Sequence, residues 1–119
     1  MEEQKENIDL KERAKRFSIN VIKLHSSLIK SDESQVIGKQ LLRSSTSVGA
    51  NTRSAFRGRS NKEFIAKLGI VIEEADESQF WLELIDELNL SREKSKVITL
   101  LKEANELTAI FNSIKQKYK

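Results

Sequence analysis

The sequence contains no cysteine, no proline, four glycines and one histidine in 119 residues. Without cysteine, the chain holds neither a disulfide framework nor a thiolate zinc site. One histidine also cannot supply the paired Glu-x-x-His motifs of carboxylate-bridged di-metal bundles. Because proline and glycine are the residues that interrupt helices, their scarcity favours long helices over turn-rich β structure. These absences predict an all-α protein with no metal site and no cofactor.

Aromatic residues and long apolar runs are scarce as well. Five Phe, one Trp and one Tyr are present, and most fall at the spacing of a helical core, which leaves few rings to stack on bases. The longest apolar run, Leu68 to Ile72, is far shorter than the roughly 20 residues that cross a bilayer. The N-terminus, Met1 to Ile8, is acidic and polar, unlike a signal peptide. We therefore expect a cytoplasmic protein with no membrane partner.

Apolar residues at alternating spacings of three and four predict two helices in the first half of the chain. Asp9 and Glu12 have capping-box spacing, which predicts helix 1 over about residues 9–30, after a flexible acidic tail of residues 1–8. Ser31 and its polar neighbours predict the start of helix 2. That helix should end near Arg57, with Gly58 in the left-handed conformation that often follows a helix. The predicted core positions are Leu10, Ala14, Phe17, Val21, Leu24 and Leu28 in helix 1, and Ile37, Leu41, Ser45, Val48, Thr52 and Ala55 in helix 2.

Two more helices follow. Ser60 and Glu63 form the capping box S-x-x-E at the start of helix 3, and Ser91 is the predicted cap of helix 4. Short connections between four amphipathic helices predict an antiparallel up-down-up-down bundle over residues 9–119. Helix 3 carries more apolar surface than one seam needs, so it has either a wide inward face or a subunit interface. The predicted homo-oligomer interface comprises Phe80, Trp81 and Leu84. The predicted core positions are Phe64, Leu68, Val71, Ala75, Ser78, Leu82 and Ile85 in helix 3, and Val97, Leu100, Ala104, Leu107, Phe111, Ile114 and Tyr118 in helix 4.

Charge is separated into blocks along the sequence. Seven Lys or Arg residues lie between Gly38 and Lys67, against one acid, Glu63. The next segment, Leu68 to Leu88, carries seven acids and no Lys or Arg. Adjacent blocks of opposite sign indicate a polarised surface with an anionic partner at its basic end.

The basic block has the spacing of a phosphate site. Arg53 and Arg57 are one helical turn apart, and Arg59 and Lys62 flank the start of helix 3, where backbone N–H groups favour anions. The alternative is that these cations are solvated, or paired with acids of the same or a neighbouring subunit, such as Glu73, Glu74, Asp76 and Glu77. The predicted nucleic-acid-binding residues are Lys39, Arg43, Arg53, Arg57, Arg59 and Lys62.

Catalytic patterns are absent from the sequence. The phosphate loop G-x-x-x-x-G-K-[ST] does not occur, and the serines at 44–47 have no nearby partner base because His25 lies on another helix. Those small residues, with Gly49 and Ala50, are better interpreted as a stretch where helix 2 approaches a neighbour closely or leaves room for water. We therefore predict that the protein is not an enzyme.

Three stretches of the sequence resemble a bacterial family. They are QLLRSSTSVGAN at Gln40–Asn51, R-S-x-x-E-F-x-x-x-L-x-I at Arg59–Ile70, and EADES at Glu74–Ser78. In order and spacing they resemble the 23S rRNA-intervening-sequence proteins, over residues 9–114. The resemblance implies a four-helix bundle assembled as a homopentamer, with genes first noticed inside intervening sequences of 23S rRNA and no established catalytic residue.

A more distant similarity is to the accessory variability proteins of diversity-generating retroelements, which implies basic pentamers that bind nucleic acid and a reverse transcriptase. Many family members have a Glu-Gly pair where this chain has Thr52–Phe56, so this chain is more basic there. Together these features predict a non-catalytic, ribosome-associated bundle that contacts structured RNA, plausibly rRNA, through its basic patch. The alternative is an oligomeric protein-binding scaffold with no nucleic-acid role.

Overall fold

The computed structural model describes residues 2–118, with side chains from residue 10 to 118. Within residues 2–118 the chain forms four helices and no strand: α1 (Glu2–His25), α2 (Asp32–Ala55), α3 (Asn61–Glu87) and α4 (Lys94–Lys117). The all-α prediction is confirmed. The backbone of residues 2–8 belongs to α1 and Met1 lies outside the described residues, so the flexible tail predicted for residues 1–8 stays a prediction.

The bounds of α1 differ from those expected. The helix passes through Asp9, where its start was predicted, and it ends at His25 rather than near residue 30. It ends early because two hydroxyls bond to the backbone: Ser26 and Ser27 each donate to the carbonyl three residues earlier, at 2.9 and 2.6 Å. Such bonds offer the backbone an alternative to continued helix.

The α1–α2 and α3–α4 connections touch each other at one end of the molecule. The Ile29 N–H donates to the Leu90 carbonyl at 2.8 Å, and the Arg92 N–H donates to the Ser27 carbonyl at 3.0 Å. The buried hydroxyls of Ser27 and Ser91 lie 2.7 Å apart and share a hydrogen bond. Two backbone bonds and a hydroxyl pair therefore fix these connections to each other.

Two of the three predicted serine caps are confirmed. The Ser31 hydroxyl accepts the N–H three residues later at 3.1 Å, and the Ser60 hydroxyl accepts its counterpart at 3.2 Å. The prediction for Ser91 is wrong, because α4 starts after Glu93. The Ser91 hydroxyl instead accepts the Glu93 N–H at 3.0 Å and bonds to Ser27. It therefore stabilises the α3–α4 connection that precedes the helix.

The expectation for Gly58 is also wrong. No glycine among residues 2–118 has a positive φ, whereas Asn89 does, at 54°. The Gly58 N–H donates to the Ala55 carbonyl at 3.0 Å. A Cβ at Gly58 would lie 3.1 Å from that carbonyl oxygen, so the tight turn accounts for the glycine.

The core consists of one stripe from each helix. All the predicted core positions are buried except four half-buried ones near segment ends, Leu28, Phe64, Ile114 and Tyr118. α1 and α3 each contact both α2 and α4. The molecule measures 45 × 22 × 19 Å, and a 24-residue helix is about 36 Å long. The four helices therefore lie along the long dimension, around one core.

Small residues bring α2 close to both of its neighbours, as its sequence predicted. The buried Ser18 hydroxyl of α1 donates to the Ser45 carbonyl of α2 at 2.7 Å, and a Cβ at Gly49 would lie 2.7 Å from the Ser18 oxygen. On the other side of α2, the buried Ser44 and Ser78 hydroxyls are hydrogen-bonded at 2.8 Å. Larger side chains at these positions would separate the helices.

None of the helices in the described part of the chain has an apolar stretch long enough to cross a membrane.

Candidate nucleic-acid interface

An open cleft of about 270 Å³ lies where α2 ends and α3 begins. It brings together three of the predicted residues, Arg53, Arg57 and Arg59. Their side chains come from the last turn of α2 and from the connection to α3, and all three residues are exposed. The cleft is also lined by Ala50, Ser54, Gly58, Glu63 and Lys67.

Glu63, the acid that lines this cleft, accepts a hydrogen bond from the backbone through its carboxylate. The Arg59 N–H donates to a carboxylate oxygen of Glu63 at 3.0 Å, while the Glu63 N–H donates to the Ser60 hydroxyl at 3.2 Å. This is the capping box that the sequence predicted, with both bonds formed. Since the Glu63 carboxylate is held at the helix start, it pairs with none of the arginine side chains of the cleft.

The cations of this cleft have no acidic partner among the described side chains. Among the side chains of residues 10–118, no carboxylate lies within 4.0 Å of the charged groups of Arg53, Arg57, Arg59, Lys62 or Lys67. Four cations therefore line the cleft against one carboxylate. Lys67, a half-buried residue that lies two turns into α3, completes the set but was not among the predicted residues. The sequence did contain a signal for Lys67, because it is one of the seven Lys or Arg residues counted in the basic block.

Arg43 is in a different environment. Its guanidinium pairs with Glu74 at 3.2 Å and also with Glu77, whose carboxylate accepts the Trp81 ring N–H at 3.0 Å. Two acids of α3 therefore neutralise Arg43, as the alternative interpretation anticipated for the arginines as a group. The alternative interpretation named four acids of α3. Among the described side chains, two of these four, Glu74 and Glu77, pair with an arginine.

The remaining predicted residues do not line the cleft. Lys39 is exposed on α2, 14 residues before Arg53, or about 21 Å along the helix. Lys62 is exposed beside the cleft, in the first turn of α3. The structure thus divides the six predicted residues into three in the cleft, one beside it, one distant, and one already paired.

A second open cleft, of about 370 Å³, adjoins the first between α1 and α2. It is lined by Lys11, Lys15 and Arg53, with Ser18, Ile19, Thr46, Gly49 and Ala50. Sequence reasoning missed Lys11 and Lys15. The available signal was their spacing of four residues on the flank of helix 1 next to Ser18, which places both on one face.

Arg13, by contrast with the cleft arginines, has its guanidinium paired with two carboxylates. Its guanidinium donates to both carboxylate oxygens of Glu103 at 2.7 and 2.6 Å, and it also contacts Glu106, which ties α1 to α4. The hydrogen bonds that Arg13 donates to Glu103 raise the pKa of Arg13 above its ordinary value. Arg13 is therefore occupied by two acids, unlike the arginines of the cleft.

The predicted oligomer interface is partly exposed. Phe80 is 50% exposed, whereas Trp81 and Leu84 are half-buried and pack against the core. The Phe80 and Trp81 rings meet edge to face at 5.0 Å. Leu88, the residue that follows α3, is 55% exposed. The outer surface of α3 thus carries apolar side chains that the four-helix core does not cover.

Metal-binding geometry is absent from the described side chains, where no three His, Cys, Asp or Glu residues converge.

Comparison with known proteins agrees with the resemblance seen in the sequence. The family described as 23S rRNA-intervening sequence protein matches residues 6–113. A crystal structure of a protein of unknown function from the S23 ribosomal protein family of Bacteroides thetaiotaomicron superposes with a TM-score of 0.80 and 32% identity, over 92% of this chain and 97% of that chain. No curated protein matches. The chain belongs to the 23S rRNA-intervening sequence protein family.

Proposed function

We propose that this protein is a non-catalytic bundle protein that contacts structured RNA, specifically rRNA, through the cleft at the α2–α3 junction. One observation carries the proposal: Arg53, Arg57, Arg59 and Lys67 line one cleft, and none of them pairs with a carboxylate among the side chains of residues 10–118. Grouped, unpaired cations at a helix start are suited to phosphate oxygens. The family name refers to 23S rRNA, and ribosome association in the cytoplasm is part of the proposal.

Salt dependence tests this proposal. Each neutralised phosphate contributes about 0.7 to 0.9 to the slope of log affinity against log salt. In filter binding with a structured RNA, the triple change of Arg53, Arg57 and Arg59 to Gln should lower that slope by about 2 to 3 and weaken binding strongly.

The matched control changes Lys30, Arg92 and Lys94 to Gln, which removes the same charge from exposed positions in or next to the α1–α2 and α3–α4 connections, outside the cleft. It should leave the slope near that of the unmodified protein. Binding that does not depend on salt, or a cleft variant that binds as well as the control variant, would refute the proposal.

The arrangement of the helices and their assembly are part of the same proposal. The contact between the α1–α2 and α3–α4 connections supports an antiparallel up-down-up-down bundle. The exposed Phe80 and Leu88 support a homo-oligomer, with the pentamer as the order that the resemblance implies. Light scattering should give a smaller mass after Phe80→Ser and an unchanged mass after Ile98→Ser, an equally apolar change at a residue of α4 that is 42% exposed. Equal masses for both variants would contradict an interface at Phe80.

The second candidate is an oligomeric protein-binding scaffold, and the pairing of Arg43 with two acids of α3 favours it. Under that function the basic cleft would meet acids of a neighbouring subunit. The triple cleft variant would then lose mass in light scattering, and the unmodified protein would show no measurable affinity for RNA.

A further inference from the structure

Two clefts meet on one helix. The cleft between α1 and α2 and the cleft at the α2–α3 junction share Ala50 and Arg53 as lining residues. Ala50 is exposed and has the smallest side chain that a helix favours, so its side chain does not separate the two clefts. The two clefts therefore form one groove that crosses α2 from α1 to the start of α3.

The groove is strongly cationic along its whole length. Its charged lining residues are Glu63 and six cations, Lys11, Lys15, Arg53, Arg57, Arg59 and Lys67. Glu63 is bound by the Arg59 N–H, and Glu12, which follows Lys11 in α1, pairs with Arg16. Among the side chains of residues 10–118, none of the six cations has a carboxylate partner.

We infer that Lys11 and Lys15, together with Arg53, form a second phosphate-binding site, and that the groove holds a run of backbone phosphates of base-paired RNA. This inference rests on the proposed function and specifies its ligand. A lone anion would occupy one cleft, whereas a polyanion is needed to engage cations on three successive elements of the fold. Arg53 stands at the crossing and serves both sites.

The lining also selects how RNA is read. No aromatic residue lines either cleft in the described part of the chain. The rings adjacent in sequence to the cleft residues contact other rings: Phe56 packs on Phe64 at 5.4 Å, and Phe64 packs on Tyr118 at 5.1 Å. Single-stranded RNA is held chiefly by stacking on such rings, whereas paired RNA is held by contacts to its backbone. The groove therefore fits paired RNA.

Two pairs of variants test the inference with an RNA hairpin as probe. Changing Lys11 and Lys15 to Gln should lower the salt slope by about 1.4 to 1.8, close to the effect of changing Arg57 and Arg59 to Gln. Changing Lys23 and Lys30 to Gln, two exposed lysines outside the groove, is the matched control and should leave the slope unchanged.

A variant at the junction gives an independent readout. Ala50→Glu places a carboxylate where the two clefts meet, and Ala50→Gln places a neutral group of the same size there. Both residues are good helix formers at an exposed position, so both variants should keep the melting temperature. Ala50→Glu should reduce hairpin affinity at least tenfold relative to Ala50→Gln, because it opposes phosphates in both clefts.

The outcomes are distinguishable. If the Lys11/Lys15 variant keeps the slope while the Arg57/Arg59 variant lowers it, the second site is refuted and the proposed function stands. Single-stranded RNA that binds as tightly as the hairpin refutes the preference for paired RNA. If the unmodified protein shows no salt-dependent binding to RNA, the inference and the proposed function are both overturned.

Discussion

Replacing Gly49 with alanine should destabilise the protein, although the same change elsewhere in a helix normally stabilises. The added Cβ would lie 2.7 Å from the Ser18 oxygen, closer than packed atoms allow. That oxygen is itself fixed by hydrogen bonds to the Ser45 and Ala14 carbonyls at 2.7 and 3.2 Å. Overpacking of this kind costs about 1–3 kcal/mol, against a gain of about 0.5–1 kcal/mol from replacing a helical glycine. The free energy of unfolding should fall by about 1–2 kcal/mol.

Gly69 supplies the matched control. It lies within α3, and the nearest atom to a methyl group added there would be the Lys115 ammonium nitrogen at 3.5 Å, an ordinary contact. Gly69→Ala should therefore stabilise the protein by about 0.5–1 kcal/mol. The two variants make the same chemical change and differ in the space available.

A double variant isolates the cause. Ser18→Ala removes the oxygen that the new methyl group would meet, so Gly49→Ala should cost less in that background than in the unmodified protein. The difference, measured by urea unfolding, should be a coupling energy of about 1 kcal/mol or more. In thermal melts, each kcal/mol corresponds to roughly 3–6 °C for a domain of this size. Additive effects, or a stabilising Gly49→Ala, would refute the steric argument.

Three further predictions concern charged residues. Arg13→Lys should lower the free energy of unfolding in urea by about 0.5–1 kcal/mol, because lysine cannot bond both Glu103 oxygens. The raised pKa of Arg13 means that its contribution is fully present below the ordinary arginine pKa and is lost only as pH rises beyond it, so a loss centred near neutral pH would contradict this account. Arg43→Gln should change stability by less than about 1 kcal/mol, since Arg43 is half exposed, but it should alter Trp81 fluorescence through their shared acid; an unchanged spectrum would count against that contact. Lys67→Glu should weaken RNA binding in filter assays more than Lys67→Ala, because it adds a repelling charge to the cleft; equal effects would remove Lys67 from the site.

The core was predictable from the sequence because helical periodicity alone determines which side chains share a face. Phe17, Val48, Leu82 and Phe111, one from each helix, are all buried where the spacing placed them. The close approach of α2 to a neighbour was also predictable, because small side chains in a helix interior leave space for an adjacent helix. These inferences need no knowledge of how the helices are aligned with one another.

The turns were less predictable, because several residue types satisfy the same backbone requirement. A glycine after a helix fits the left-handed position, yet Asn89 adopts it instead, while Gly58 is needed for closeness to the Ala55 carbonyl. Ser91 has the composition of a cap, but its hydroxyl bonds with Ser27, which is 64 residues away in the sequence. Local patterns carry no information about such distant partners.

The division among the arginines follows from how α2 and α3 are aligned. Contacts between them run from Ser44 with Ser78 to Arg53 with Lys67 in a shared cleft, so later residues of α2 meet earlier residues of α3. The acids of α3 after Glu63 begin at Glu73, which is about 15 Å further along the helix. They consequently reach Arg43 in the middle of α2 and leave its basic end unopposed. The separation of charge along the sequence therefore becomes a groove of free cations only through this alignment, which the charge pattern by itself does not specify.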